Sequence, residues 1–256
     1  MKELKKSNWQ PQGERFVAVL DILGFKELVM REDHETTYER LLKLSDHIKR
    51  LESPKVEGME ERFWDTDIKT YNFSDSIMVF SKTDSHEDFH VFVHAIEYLM
   101  SSAVRMEVPI KGAIAHGNIT LNQSQNIYFG QALIDAYLLE EELKYLGVAV
   151  HNSINRYVRD NNSVELSSFF REHFIEIKTP LRTGLIKHYN LNWFRKALKD
   201  AELFHAGSEE DKTRYLNDLI DKFRVTTSGQ PRVYYDNTQL VLEAADQHTV
   251  KIINYI

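Results

Sequence analysis

The chain has 256 residues, of which 42% are hydrophobic, so we expect one large folded domain, or a domain with an appendage, rather than general disorder. It contains no cysteine, which excludes disulfides, thiolate zinc sites and a cysteine nucleophile. The net charge of −7 is unlike that of nucleic-acid binders, and no apolar run is long enough to span a membrane. The N-terminal residues do not resemble a signal peptide, so we expect a cytoplasmic protein that binds neither nucleic acid nor membranes.

The pattern of apolar residues predicts alternating strands and helices up to Leu191. The predicted strands are Arg15 to Asp21 (followed by a break at Gly24), Ile68 to Phe73, Ser76 to Lys82, Ile110 to His116 (ended by Gly117), Gly147 to Val150, Phe174 to Ile177 and Leu185 to Leu191. The predicted helices are Lys26 to Arg31, Thr37 to Leu51, His86 to Val104 and Phe129 to Tyr145, with a polar loop from Ser53 to Asp67. This order predicts an α+β fold of the ferredoxin-like kind, with a sheet covered by helices on one side.

Beyond Asn192 the pattern becomes helical. Three helices are predicted, at Trp193 to Phe204, Ser208 to Phe223 and Arg232 to Ala245, with a flexible linker from Thr226 to Pro231. We therefore expect a helical C-terminal extension over residues 192–256.

Two aspartates lie in apolar, strand-like surroundings. Asp21 ends the first strand, and Asp75 lies at the turn of the predicted hairpin. A carboxylate in such surroundings is costly unless a cation meets it, and two carboxylates can share a pair of magnesium ions. The alternative is that both are ordinary turn or edge-strand aspartates.

The residues after Asp21 favour an anion or cation site. The carbonyl of Ile22 would add an oxygen ligand for a hard cation. The chain turns at Gly24, so the amides of Leu23, Gly24 and Phe25 would point together at a phosphate.

At these residues the sequence resembles the class III nucleotidyl cyclases. The segment Asp21 to Phe25 is similar to their first metal motif, and Ser74 to Val79 to their second, a hairpin aspartate followed by alternating apolar residues. Ile110 to Gly117 resembles their next strand, and Phe129 to Glu140 their glycine-started helix. The resemblance covers residues 12–191. It implies a class III cyclase catalytic domain over that range, two Mg²⁺ or Mn²⁺ ions held by Asp21, Ile22 and Asp75, and a site built between the two protomers of a homodimer.

The departures from that family suggest a pyrimidine substrate. Tyr71 stands where adenylate cyclases hold an adenine-binding lysine, and Ile127 where they hold a base-reading aspartate. Their transition-state asparagine and arginine fall on Ile134 and Leu138. Tyr71 is similar to the corresponding residue of the pyrimidine cyclases of bacterial Pycsar antiphage systems, which make cyclic UMP or cyclic CMP for a separate effector. A tyrosine can stack on a base and hydrogen-bond to it; the alternative for Tyr71 is an ordinary strand aromatic.

Two cationic residues and three histidines are further candidate site residues, with weaker sequence support than the two aspartates. Lys111 and Arg182 are placed to meet a triphosphate, and Arg182 is a candidate catalytic cation in the absence of the family's arginine. His86, His90 and His94 recur at four-residue spacing on one helix, which a polar helix stripe explains better than a metal site.

Three functions remain open from the sequence. The first is a two-metal cyclase of UTP or CTP. The second is a degenerate cyclase fold that binds nucleotide or a partner without turnover. The third, a metal-dependent nuclease or polymerase-like protein, is disfavoured by the acidic net charge.

Overall fold

The computed structural model describes residues 7–52, 60–204, 209–225, 229 and 231–253. Within them, eight strands form one mixed sheet with the order β2-β3-β1-β4-β6-β8-β7, and β5 pairs with β4. The strands are β1 Gln12–Ile22, β2 Ile68–Phe73, β3 Ser76–Ser81, β4 Ile110–Asn122, β5 Ile127–Gly130, β6 Val148–Val150, β7 Phe174–Leu181 and β8 Gly184–Leu191. The helices are α1 Phe25–Arg31, α2 His34–Leu51, α3 His86–Arg105, α4 Gln131–Glu142, α5 Asn152–Asn161, α6 Val164–His173, α7 Trp193–Phe204, α8 Glu209–Val225 and α9 Arg232–Ile253. The predicted α+β class is confirmed.

Side-chain alternation along β1 divides the core into two faces. Phe16, Ala18 and Leu20 belong to the large apolar core that includes α3, whereas Val17 and Val19 point to the opposite face. On that second face they meet Ala132 and Ala136 of α4. Helices therefore lie on both faces of the sheet, which corrects the expectation of one covered side.

The strand β4 continues past Gly117, where the sequence pattern predicts its end. Its second half finds partners on both sides, because Gly117 pairs with Arg15 of β1 and Ile119 pairs with Gly130 of β5. These ladders satisfy the backbone groups that a strand end would leave open. The short strand β5 and the helices α5 and α6 are further elements that the sequence pattern misses.

The helices after Asn192 pack on the same core as the sheet. Trp193 is fully buried, and α7 lies against α3. The boundary between residues 191 and 192 stays a prediction. The predicted linker, apart from Gly229 and Pro231, and the predicted helix start at Ser208 lie outside the described residues. Among the described residues, no helix combines the length and the apolar character that crossing a membrane requires.

Candidate active site

The two aspartates lie at one corner of the sheet. Asp21 pairs with Ser76 of β3 on one side and with Lys111 of β4 on the other. Asp75 immediately precedes Ser76 in the hairpin turn, where Ser74 takes a left-handed conformation with φ of 58°. The amide of Ile22 donates to the carbonyl oxygen of Asp75 at 3.0 Å, which ties this turn to the end of β1. Local strand pairing thus brings the two aspartates together across 54 positions of sequence.

Among the side chains that the structure describes, Asp21 has no full neutralising partner. Burial is the main cause that raises its pKa, to about 7, and the negative charges of Glu140 and Asp75 raise it further. Lys111 acts in the opposite direction but does not cancel them. Asp75 raises the pKa of Glu140 as well, although less than burial does. Three acidic side chains therefore share this corner, and the described residues supply less positive than negative charge there.

Lys111 is engaged by one of these carboxylates. Its ammonium group donates to the side chain of Glu140 and, at 2.7 Å, to the backbone carbonyl of Glu140. Each of the two residues is 5% exposed. The sequence predicts that Lys111 contacts a triphosphate. In the structure its ammonium group is paired with the carboxylate of Glu140, because a buried lysine needs an anionic partner. In this structure Lys111 therefore holds Glu140 beside Asp21, and its predicted contact with a triphosphate stays a prediction.

Glu140 is a site residue that the sequence reasoning misses. It lies on the same face of α4 as Ala132 and Ala136, which are buried against the sheet. The regular four-residue spacing of these three residues could have identified Glu140 as the inward-facing member of its three consecutive glutamates.

A cavity of about 320 Å³ opens at this corner. Its lining includes Asp21, Leu23, Ser76, Lys111, Tyr137, Glu140, Glu141, Arg182 and Tyr234. Arg182 follows β7; its exposed side chain donates to the backbone carbonyl of Glu141 at 3.2 Å and lies 4.0 Å from the carboxylate of Glu142. The cavity thus combines Asp21 and Glu140 with the guanidinium group that the sequence predicts for this site, whereas Asp75 lies beside the cavity, next to Ser76, and is not among its lining residues.

The turn after Asp21 differs from the predicted phosphate nest at one position. The amide of Leu23 donates to the carbonyl of Pro109 at 2.8 Å, so it is not available to a phosphate. Gly24 has φ of 72°, a left-handed conformation that favours glycine, and Phe25 begins α1. The predicted roles of the Gly24 and Phe25 amides and of the Ile22 carbonyl stay predictions.

Tyr71 is not part of this cavity. It lies on the same sheet face as Asp21, on β2 at the register of Met78. Its hydroxyl accepts a hydrogen bond from the side-chain amide of Gln123 at 2.8 Å, and its ring lies 4.8 Å from that of Tyr128. Gln123 in turn accepts from Lys69 at 2.5 Å. Tyr71 therefore belongs to a polar and aromatic group next to the β4–β5 turn.

No family model matches this chain, and no curated protein matches it. Several solved structures are similar in fold. A bacterial light-regulated adenylyl cyclase has a TM-score of 0.49 and 14% identity, over 71% of this chain and 53% of that one. The catalytic core of a rhodopsin-guanylyl cyclase has a TM-score of 0.47 and 11% identity, over 70% of this chain and 96% of that one. An adenylate/guanylate cyclase/hydrolase from Silicibacter pomeroyi has a TM-score of 0.42 and 17% identity, over 70% of this chain and 98% of that one.

This chain thus spans about half the length of the light-regulated cyclase. Identities and TM-scores of this size describe a partly shared chain path and say nothing about substrate.

Proposed function

We propose that the protein is a nucleotidyl cyclase that converts UTP or CTP into the 3′,5′-cyclic monophosphate and pyrophosphate. The observation that carries this proposal is the corner of Asp21 and Asp75. There, the half-buried carboxylate of Asp21, with its pKa raised to about 7, lies near that of Asp75, and among the described side chains Lys111 offsets this negative charge only in part. Such a corner suits a cationic ligand that arrives with the substrate.

The donor set fits Mg²⁺ or Mn²⁺. The carboxylates of Asp21 and Asp75, with the carbonyl of Ile22, are hard oxygen donors of the kind these ions prefer. When bound, two such ions would activate the ribose 3′-hydroxyl and neutralise the phosphates of the leaving pyrophosphate. Arg182 would hold a phosphate oxygen at the open side of the cavity that it shares with Asp21.

The environment of Tyr71 supports a pyrimidine base. A phenol and the amide of Gln123 lie within hydrogen-bonding distance of each other, next to the ring of Tyr128. Hydroxyl and amide groups can pair with the carbonyl and ring nitrogen of a pyrimidine, while aromatic rings stack on its face. Because Tyr71 does not line the Asp21 cavity, it would serve the cavity of a second protomer.

Exposed apolar residues support the homodimer that this arrangement needs. On β5, Ile127 and Phe129 are 46% and 59% exposed, and on the outer side of α4, Ile134 and Leu138 are 52% and 54% exposed. A neighbouring groove of about 480 Å³ includes Phe129 and Ile134 in its lining. Contiguous exposed apolar side chains commonly mark protein interfaces. We assign this surface, hereafter the α4–β5 surface, to a second copy of the chain.

The resemblance of the motifs to the Pycsar cyclases supports a role for the product. The cyclic mononucleotide would act in the cytoplasm as a second messenger of antiphage defence, sensed by a separate effector.

A screen of the four nucleoside triphosphates with Mn²⁺ and with Mg²⁺ tests the activity, with the product identified by mass spectrometry. We expect a cyclic pyrimidine monophosphate and pyrophosphate from the wild type, and neither product from Asp75→Asn. Asp160→Asn, an exposed change on α5 paired only with its neighbour Arg159 in the described ion pairs, is the control and should retain activity. Absence of any cyclic product with all four substrates and both metals would refute the proposal.

A second candidate is metal-dependent nucleotide binding without turnover. It is favoured by the pairing of Lys111 with Glu140 and by the aliphatic side chains at positions 134 and 138, since none of these can neutralise developing charge. In that case calorimetry would detect UTP or CTP binding in the presence of Mn²⁺, without release of pyrophosphate.

A further inference from the structure

A second group of metal-ligating side chains lies on the opposite side of the sheet from the Asp21 cavity. His94 and Glu97 are three residues apart on α3, so they lie on one face of the helix. His173 is the last residue of α6, immediately before β7. The three residues come from segments 76 positions apart and meet only in the folded chain.

The three side chains converge on the Glu97 carboxylate. One of its oxygens lies 2.7 Å from Nδ1 of His173, and the other lies 3.3 Å from Nδ1 of His94. One potential ligand atom from each residue lies within 4.8 Å of the others. Glu97 is 3% exposed and His173 is 9% exposed, whereas the side chain of His94 is 57% exposed. The group is therefore anchored in the core and open to solvent through His94.

Packing restricts the imidazole rings. The ring of Phe169 lies 4.2 Å from that of His173 and 5.6 Å from that of His94. The ring of Phe169 also stacks on the imidazole of His90, with their centres 3.7 Å apart. His90 is therefore packed against this aromatic ring. Of the three regularly spaced histidines of α3, only His94 is thus one of the three converging residues.

The donor types differ from those of the Asp21 corner. Two imidazole nitrogens with one carboxylate oxygen form a set that suits Zn²⁺ and related borderline ions, rather than Mg²⁺. Ligand atoms of a tetrahedral zinc ion lie about 3.4 Å apart, as follows from zinc–ligand distances of about 2.1 Å. The three ligand atoms now lie within 4.8 Å of one another, so zinc binding would require them to move closer together, and His94, the most exposed of the three, is the side chain that would move. Its exposure to solvent would admit a water as fourth ligand.

We propose that His94, Glu97 and His173 form a binding site for one zinc-class divalent cation, which links α3 to the junction of α6 and β7. The cation would replace the hydrogen bonds that Glu97 now makes with the two imidazoles. The site is independent of the proposed cyclase activity and is separated from the Asp21 cavity by the sheet.

The test is to titrate Zn²⁺ into the full-length, chelator-treated protein by calorimetry and to follow thermal unfolding. We expect one Zn²⁺ per chain, and a rise in Tm of about 5 °C or more when free Zn²⁺ is about a hundred times the Kd. Substituting Co²⁺ should give the visible absorption of a tetrahedral site with nitrogen and oxygen ligands.

Variants separate this site from a plain ion pair. His94→Ala changes an exposed side chain, so the fold should persist while the Tm shift and the cobalt spectrum are lost. His86→Ala, on the same helix but outside the group, should retain both, and so should Asp21→Asn. The proposal is overturned if the wild type binds no Zn²⁺, or if His94→Ala binds it as tightly as the wild type. Glu97 and His173 would then form an ion pair only.

Discussion

Replacing Asp21 by asparagine is predicted to make the metal-free protein more stable and to abolish its activity. The ordinary pKa of an aspartate, 3.8, is raised to about 7 in the folded chain, chiefly by burial and by the charge of Glu140. This difference corresponds to at most about 4 kcal/mol, because a tenfold change in proton affinity is worth about 1.4 kcal/mol. Asp21 is partly exposed, and solvent screens its charge, so we expect about 2 kcal/mol.

The direction of the pH dependence follows from the raised pKa. Between about pH 4 and pH 7 the unfolded chain has released the Asp21 proton while the folded chain still holds it. The free energy of unfolding of the wild type therefore falls as the pH rises through this range and levels off above about pH 7. The asparagine variant lacks this contribution, so its advantage should be absent near pH 4 and complete near pH 8.

Urea unfolding of both proteins at several pH values, with a chelator present, measures this difference. Asp160→Asn controls for the general effect of removing a carboxylate. Adding Mn²⁺ should stabilise the wild type and leave Asp21→Asn unchanged. If Asp21→Asn is less stable than the wild type at pH 8, or if the difference does not vary with pH, the idea of an unneutralised carboxylate at position 21 is wrong.

Three further predictions concern the neighbours of the site. Glu140→Gln leaves the buried ammonium of Lys111 without its charged partner, so urea unfolding should show a loss of about 3 kcal/mol; an unchanged midpoint would contradict the pairing. Tyr71→Phe removes one hydrogen bond near the proposed base, so steady-state kinetics should show KM for the pyrimidine triphosphate raised roughly tenfold with kcat nearly unchanged; an unaltered KM would exclude base contact. Leu138→Arg should convert the dimer to an inactive monomer in analytical ultracentrifugation, whereas Val164→Arg, at a site 85% exposed on α6, should leave the dimer intact.

The elements that the sequence predicted best are those with local signals. The hairpin of β2 and β3 has alternating apolar residues on either side of a turn, and the structure has the predicted strand pair, with its second strand one residue shorter. The helix α3 is also as predicted, apart from one additional residue, since Ser85 caps it and a regular apolar stripe runs along it. The predicted end of β4 at Gly117 was wrong. A glycine ends a strand only where no neighbouring strand continues the pairing, and here both β1 and β5 pair with β4 beyond Gly117.

In the candidate site, too, the features with local sequence signals were predicted and those that depend on distant residues were not. The sequence motifs single out Asp21 and Asp75, and strand pairing then places them at one corner. The engagement of Lys111 by Glu140 joins positions 29 apart and depends on how α4 lies across the sheet, which no local pattern specifies. For the same reason the amide of Leu23 was misjudged, because its acceptor at Pro109 is distant in sequence.

The most direct test of the central claim is to locate Mn²⁺ by anomalous scattering in crystals grown with a non-hydrolysable UTP or CTP analogue. If Asp21 and Asp75 act together, two manganese peaks should lie between their carboxylates and the phosphates of the analogue. Manganese bound to only one of the two aspartates, or bound away from both, would contradict the two-metal account.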